Sequence, residues 1–91
     1  MSDVSPSAAD WNKRGVEFVI IELDAALTFL DVADNSRIVE TKERNHLNAR
    51  KAYDTVVGLL EKLLPDAVQQ AEIDLRLQTL RDRLIAAGQR V

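Results

Sequence analysis

The chain of 91 residues has no cysteine, one histidine, three glycines, two prolines and four aromatic residues. Each scarcity removes a class of structure or chemistry. Without cysteine there is no disulfide framework, no thiolate metal site and no cysteine nucleophile. So few glycines and prolines leave little turn material for an all-β fold of many short strands. One histidine excludes a multi-histidine zinc site within one chain. The sequence also lacks a glycine-rich phosphate loop, a Gly-x-Ser-x-Gly elbow and a His-Glu-x-x-His pair. Its four serines, Ser2, Ser5, Ser7 and Ser36, fall at termini or turns and read as helix caps. No enzymatic activity and no cofactor are expected.

What remains is helix-forming. Hydrophobic residues make up 46% and charged residues 30%, enough of the first for a core and of the second for a solvated surface. Ala, Leu, Glu, Gln, Arg and Lys lose little side-chain entropy in a helix. Ninety-one residues make one domain, whose core must be efficient or shared with another chain. The net charge of −3 gives no global attraction to nucleic acid or acidic lipid. Met1 to Ala9 is polar and lacks the basic and apolar regions of a secretory signal, so the reading is a cytoplasmic protein. Five acids between Glu17 and Asp34, with no base between Gly15 and Ser36, argue against a bilayer span.

Apolar periodicity divides the chain into three helices, predicted at about 7–34, 36–64 and 66–88, within a single domain spanning 1–91. Ser7 and Asp10 have capping-box spacing at the first start, with Ser5 before Pro6 as the alternative. Pro65 closes helix 2, and Gly88 suits the end of helix 3. Short connections then require an all-α, antiparallel, up-down-up three-helix bundle in which the two long helices form a hairpin. The predicted core face of helix 2 reads Ile38, Asn45, Ala49, Ala52, Val56, Leu60 and Leu63, with His46 and Tyr53 on one flank. Helix 3 contributes Ile73, Leu77, Leu80, Leu84 and Ala87.

Helix 1 carries the functional signal. From Val16 to Ala33, thirteen of eighteen residues are hydrophobic. At about 100° per residue, Val16, Val19, Ile20, Leu23, Leu27 and Leu30 share one face. Trp11, Phe18, Ile21, Ala25, Phe29 and Val32 share a nearly opposite one. One stripe suffices to pack a helix on one neighbour, so the second points to further cover. The expectation is a non-catalytic interaction module that forms a homo-oligomer, a dimer first, or takes another protein partner, through that second face. The competing reading is that helix 3 covers it within the chain.

Charge supplies two further candidates. Glu17, Asp24 and Asp31 form an acidic row at heptad spacing on helix 1, and Arg37, Arg44 and Lys51 form a basic row at the same spacing on helix 2. The basic row is the phosphate-contacting candidate of an alternative reading, a nucleic-acid accessory protein, although no stacking aromatic accompanies it. A solvated row is the plainer reading, and contact with another chain's acids is the other. Glu43-x-x-His46 has the spacing of a carboxylate-bridged half-site, making these two the metal-ligand candidates. Lys42 and Arg44 flank Glu43 and oppose a cation, so no metal is expected. Asn45 and Asn48, at or beside the core face, are read as register-fixing residues.

Overall fold

The computed structural model describes residues 7–91 as three α-helices: α1 Ala8–Asn35, α2 Val39–Leu60 and α3 Ala67–Ala86. The predicted all-α three-helix bundle is the observed fold. Each boundary has a local cause. Ser7 caps α1, its hydroxyl accepting a hydrogen bond from the Asp10 N–H at 3.1 Å. The alternative start at Ser5 and Pro6 lies outside the described residues. Asp66 caps α3 through a reciprocal box: the Gln69 N–H donates to Asp66 Oδ1 at 2.8 Å, and the Asp66 N–H donates to Gln69 Oε1 at 2.9 Å. At the far end Gly88 takes φ +89°, which lets the Gln89 N–H reach the Leu84 carbonyl and the Gly88 N–H the Ile85 carbonyl, both at 2.9 Å.

Helix 2 is shorter at both ends than predicted. Ser36 to Ile38 is a connection, closed by the Ile38 N–H donating to Ser36 Oγ at 3.1 Å. Ile38, predicted in the core, is the N-cap of α2 and is 60% exposed, with no side-chain cap to offer. The helix stops at Leu60, not at Leu64, and Glu61 and Lys62 form a turn before Pro65. Helix 3 begins one residue later and ends two residues earlier than predicted, Asp66 and Ala87 being its caps.

The core is aliphatic. Val16, Val19, Leu23, Ala26 and Leu30 of α1 meet Ala49, Ala52 and Val56 of α2 and Ile73, Leu80 and Leu84 of α3. Full burial of such a valine, leucine or isoleucine stabilises the fold by roughly 1.5–3 kcal/mol. Among the described residues no polar or charged side chain is buried. Asn45 stays part-buried and donates to its own helix, to the Thr41 carbonyl at 2.8 Å. The register role predicted for it has no partner on α1. Asn12 ties α1 to the α2–α3 connection: its Nδ2 donates to the Leu64 carbonyl at 3.0 Å, and its Oδ1 accepts from the Leu64 N–H at 2.7 Å. Next to this clamp Leu63 lies against Gly15, where an added Cβ would stand 2.5 Å from a Leu63 methyl.

These contacts fix levels along the hairpin. Asn12 is level with Leu64 and Gly15 with Leu63, and at the other end Leu30 and Asp34 share a cavity with His46 and Lys42. The hairpin therefore turns about Ile38 and Val39. Folding about Asn35 and Ser36 would have set Glu43 beside Leu27 and Thr28; the observed turn sets it level with Asp34, because three residues are spent in the connection.

Candidate interaction surface

Helix α3 runs parallel to α1, since Arg76 and Arg83 meet Asp24 and Asp31 in the same chain order. Arg76 Nε lies 2.8 Å from Asp24 Oδ1, and Arg83 Nη2 lies 2.9 Å from both Asp31 Oδ1 and Asp34 Oδ2. Burial alone would lower the pKa of the Arg83 guanidinium, but the hydrogen bonds and charges of Asp34 and Asp31 outweigh it and raise the pKa. Two members of the acidic row thus turn toward α3, and Glu17, the third, is exposed. None of the four ion pairs among the described residues uses Arg37, Arg44, Lys51 or Lys62.

Around α1 the two neighbours occupy distinct arcs. Asn12 and Gly15 mark the α2 side; Asp24, Asp31 and Asp34 mark the α3 side. At about 100° per residue, the arc left between them carries Trp11, Phe18, Ile21, Ala25 and Val32. Trp11 is 51% exposed, Phe18 44%, Ile21 64% and Val32 45%. Ala25 is half-buried. Neither α2 nor α3 covers this arc within the chain. Phe29 differs from its predicted companions: it sits at the α2 edge of the arc and packs against the core.

On α2 the cations divide between two faces. His46, Tyr53 and Arg50 face α3 or the C-terminal residues, with Arg50 donating to the Arg90 carbonyl. Arg37, Arg44 and Lys51 are all exposed, and Arg44 and Lys51 share a heptad line with Gly58, where an added Cβ would meet nothing, so the row points outward from α2. The apolar arc of α1 and the basic row of α2 are therefore separate surfaces. The periodicity of each row was readable in the sequence.

The metal candidates are not brought together with further ligands. Glu43 is exposed, and His46 lines an open cavity of about 210 Å³ with Leu30, Asp34, Lys42, Arg83, Ala86 and Ala87. Among the described residues no group of three His, Asp or Glu side chains could hold a metal ion. A second open cavity, of about 530 Å³, is formed by Ala8, Ala9, Trp11, Asn12, Lys62 and Leu64 and continues the apolar arc at its N-terminal end. No described helix is long and apolar enough to cross a membrane. Compared with known protein families, curated proteins and solved structures, the chain matches none.

Proposed function

We propose that this chain is a non-catalytic helical interaction module that self-associates through the outer arc of α1. The observation that carries the reading is the exposure of Trp11, Phe18, Ile21 and Val32 in a continuous row that the other two helices leave open. Isolated apolar residues on a surface are ordinary, whereas a contiguous row rimmed by charge marks an interaction site.

Light scattering across a concentration series tests the reading. The expected mass is twice that of the 10.2 kDa chain. Phe18→Ser with Ile21→Ser should return it to the monomer with helical content unchanged, since both side chains are exposed and Phe29, which packs on the core, is left intact. A wild-type monomer at every concentration overturns the proposal. The second reading, a nucleic-acid accessory protein, draws on Arg37, Arg44 and Lys51 being outside the ion pairs. It requires binding to a duplex or single strand that falls steeply with salt, and absence of such binding removes it.

A further inference from the structure

Taking self-association as its premise, we infer that the second copy docks antiparallel, α1 against α1, about a two-fold axis that crosses the pair level with Leu23. The exposed arc belongs to a longer stripe that also takes in Arg14, Thr28 and Asn35. From Trp11 to Asn35 this stripe advances in alternating steps of three and four residues, the spacing of a helix-pair seam. Every position on it is exposed except the half-buried Ala25. Thr28 and Asn35 are already spent within the helix: Thr28 Oγ1 donates to the Asp24 carbonyl at 3.0 Å, and Asn35 Nδ2 donates to the Asp31 carbonyl at 2.8 Å. Both can therefore meet an apolar neighbour with their donors still paired.

Direction is set by side-chain size. Trp11, Arg14, Phe18 and Ile21 make the N-terminal half of the stripe bulky, and Ala25, Thr28, Val32 and Asn35 make the C-terminal half slim. A parallel pair would set each residue on its own counterpart. The bulky layers would then hold the helices apart and leave the slim layers open, against the close packing that interface cores share with protein interiors. An antiparallel pair in full overlap sets each bulky residue on a slim one: Trp11 on the partner's Asn35, Arg14 on the partner's Val32, Phe18 on the partner's Thr28 and Ile21 on the partner's Ala25.

Charge agrees through one residue. Glu17, Asp24 and Asp31 follow one edge of the stripe and Glu22 the other, so the edges repel in either direction and do not choose between them. Arg14, the cation on the stripe itself, does choose. In a parallel pair it faces the partner's Arg14. In the antiparallel pair it comes within about 1.5 Å, along the axis, of the level of the partner's Asp31, on the edge where that carboxylate lies. Asp31 accepts from Arg83 through Oδ1, but its side chain remains 63% exposed. Its second oxygen is open to another cation. Arg14 also stands over the last turn of the partner's α1, where the helix dipole favours positive charge. Two-fold symmetry makes the pair occur twice, as an isologous interface requires.

The absence of native cysteine allows a direct test by single-thiol crosslinking. In the antiparallel pair positions 14 and 32, both exposed, share a layer. A mixture of Arg14→Cys and Val32→Cys should therefore form a disulfide between the unlike chains under mild oxidation. Neither variant alone should link to itself, because like positions stand roughly 27 Å apart, from 18 residues at about 1.5 Å each. Arg14→Ala reads direction by sign. It should raise the dissociation constant of the antiparallel dimer about three- to tenfold through loss of two ion pairs, whereas a parallel dimer, relieved of facing guanidiniums, would tighten. Self-linking of Val32→Cys, or a tighter Arg14→Ala dimer, overturns the antiparallel arrangement and leaves self-association standing. So does a dimer by light scattering that gives no crosslink in any sample. A monomer at every concentration overturns both.

Discussion

Two glycines in helices have opposite meanings. Gly58, on the outer side of α2, has nothing within 4 Å of an added Cβ, so Gly58→Ala should stabilise the fold by about 0.5–1 kcal/mol through helix propensity. Gly15→Ala gains the same propensity but drives a methyl into Leu63, which is 5% exposed and has little room to move. Overpacking costs about 1–3 kcal/mol, so the net effect should be a loss of about 1 kcal/mol. Urea midpoints of the two variants should shift in opposite directions. Asn12→Ala removes both hydrogen bonds to the Leu64 backbone and should cost about 1 kcal/mol in the same assay, the exposed Leu64 groups turning to water. Nothing in the sequence singled out Asn12 over Asn45. Both are amides on helices, and only the position of the α2–α3 connection gives one of them a backbone to clamp. Asn45 looked the better register residue because it falls on a core face, and there it is spent on the Thr41 carbonyl of its own turn.

At the level of elements, helix ends separate into those with a side-chain signal and those without. Ser7 marks the start of α1 in the sequence and is found at work in the structure, and α3 begins at an Asp66–Gln69 box whose spacing is also a sequence signal. Helix α2 has no such residue, and its start was therefore misplaced by three positions. That vacancy can be filled. Ile38→Asp puts a good cap in place of a poor one at an exposed position and should raise stability by about 1 kcal/mol, read as an increased thermal midpoint in the wild-type buffer. The docking of α3 was half legible. Its apolar seam of Ile73, Leu80 and Leu84 was readable from spacing, and so was the seven-residue interval shared by Arg76 and Arg83 with Asp24 and Asp31. Joining the two intervals needed the knowledge that α3 lies parallel to α1 on its acidic side. Arg83→Met should loosen the C-terminal half of α3 by about 0.5–1 kcal/mol, since these pairs are largely exposed to solvent. Faster amide exchange from Leu80 to Ala86 than from Ile73 to Gln78 would report it.

For the molecule as a whole, the three-helix architecture was legible because periodicity and short connections admit few alternatives. What covers α1 was not, since that depends on the angle at which two neighbours approach. If the outer arc of α1 is an interface, the melting temperature should climb with protein concentration, and it should stop doing so in the Phe18→Ser, Ile21→Ser variant. The hairpin beneath that interface has a mechanical property of its own. Its seam of Val, Leu and Ala is chemically uniform, with no buried polar group among the described residues to distinguish one alignment from the next. Slid by one turn of about 5.4 Å, most of its contacts would be replaced by others much like them. Leu63 would not. A turn in one direction presses it toward Val19, a turn in the other toward Trp11, whereas at Gly15 the missing side chain leaves room for its methyls. The missing methyl group at Gly15 works as a detent: it stops the hairpin at one alignment, and with it sets the height at which every charge on α2 is presented.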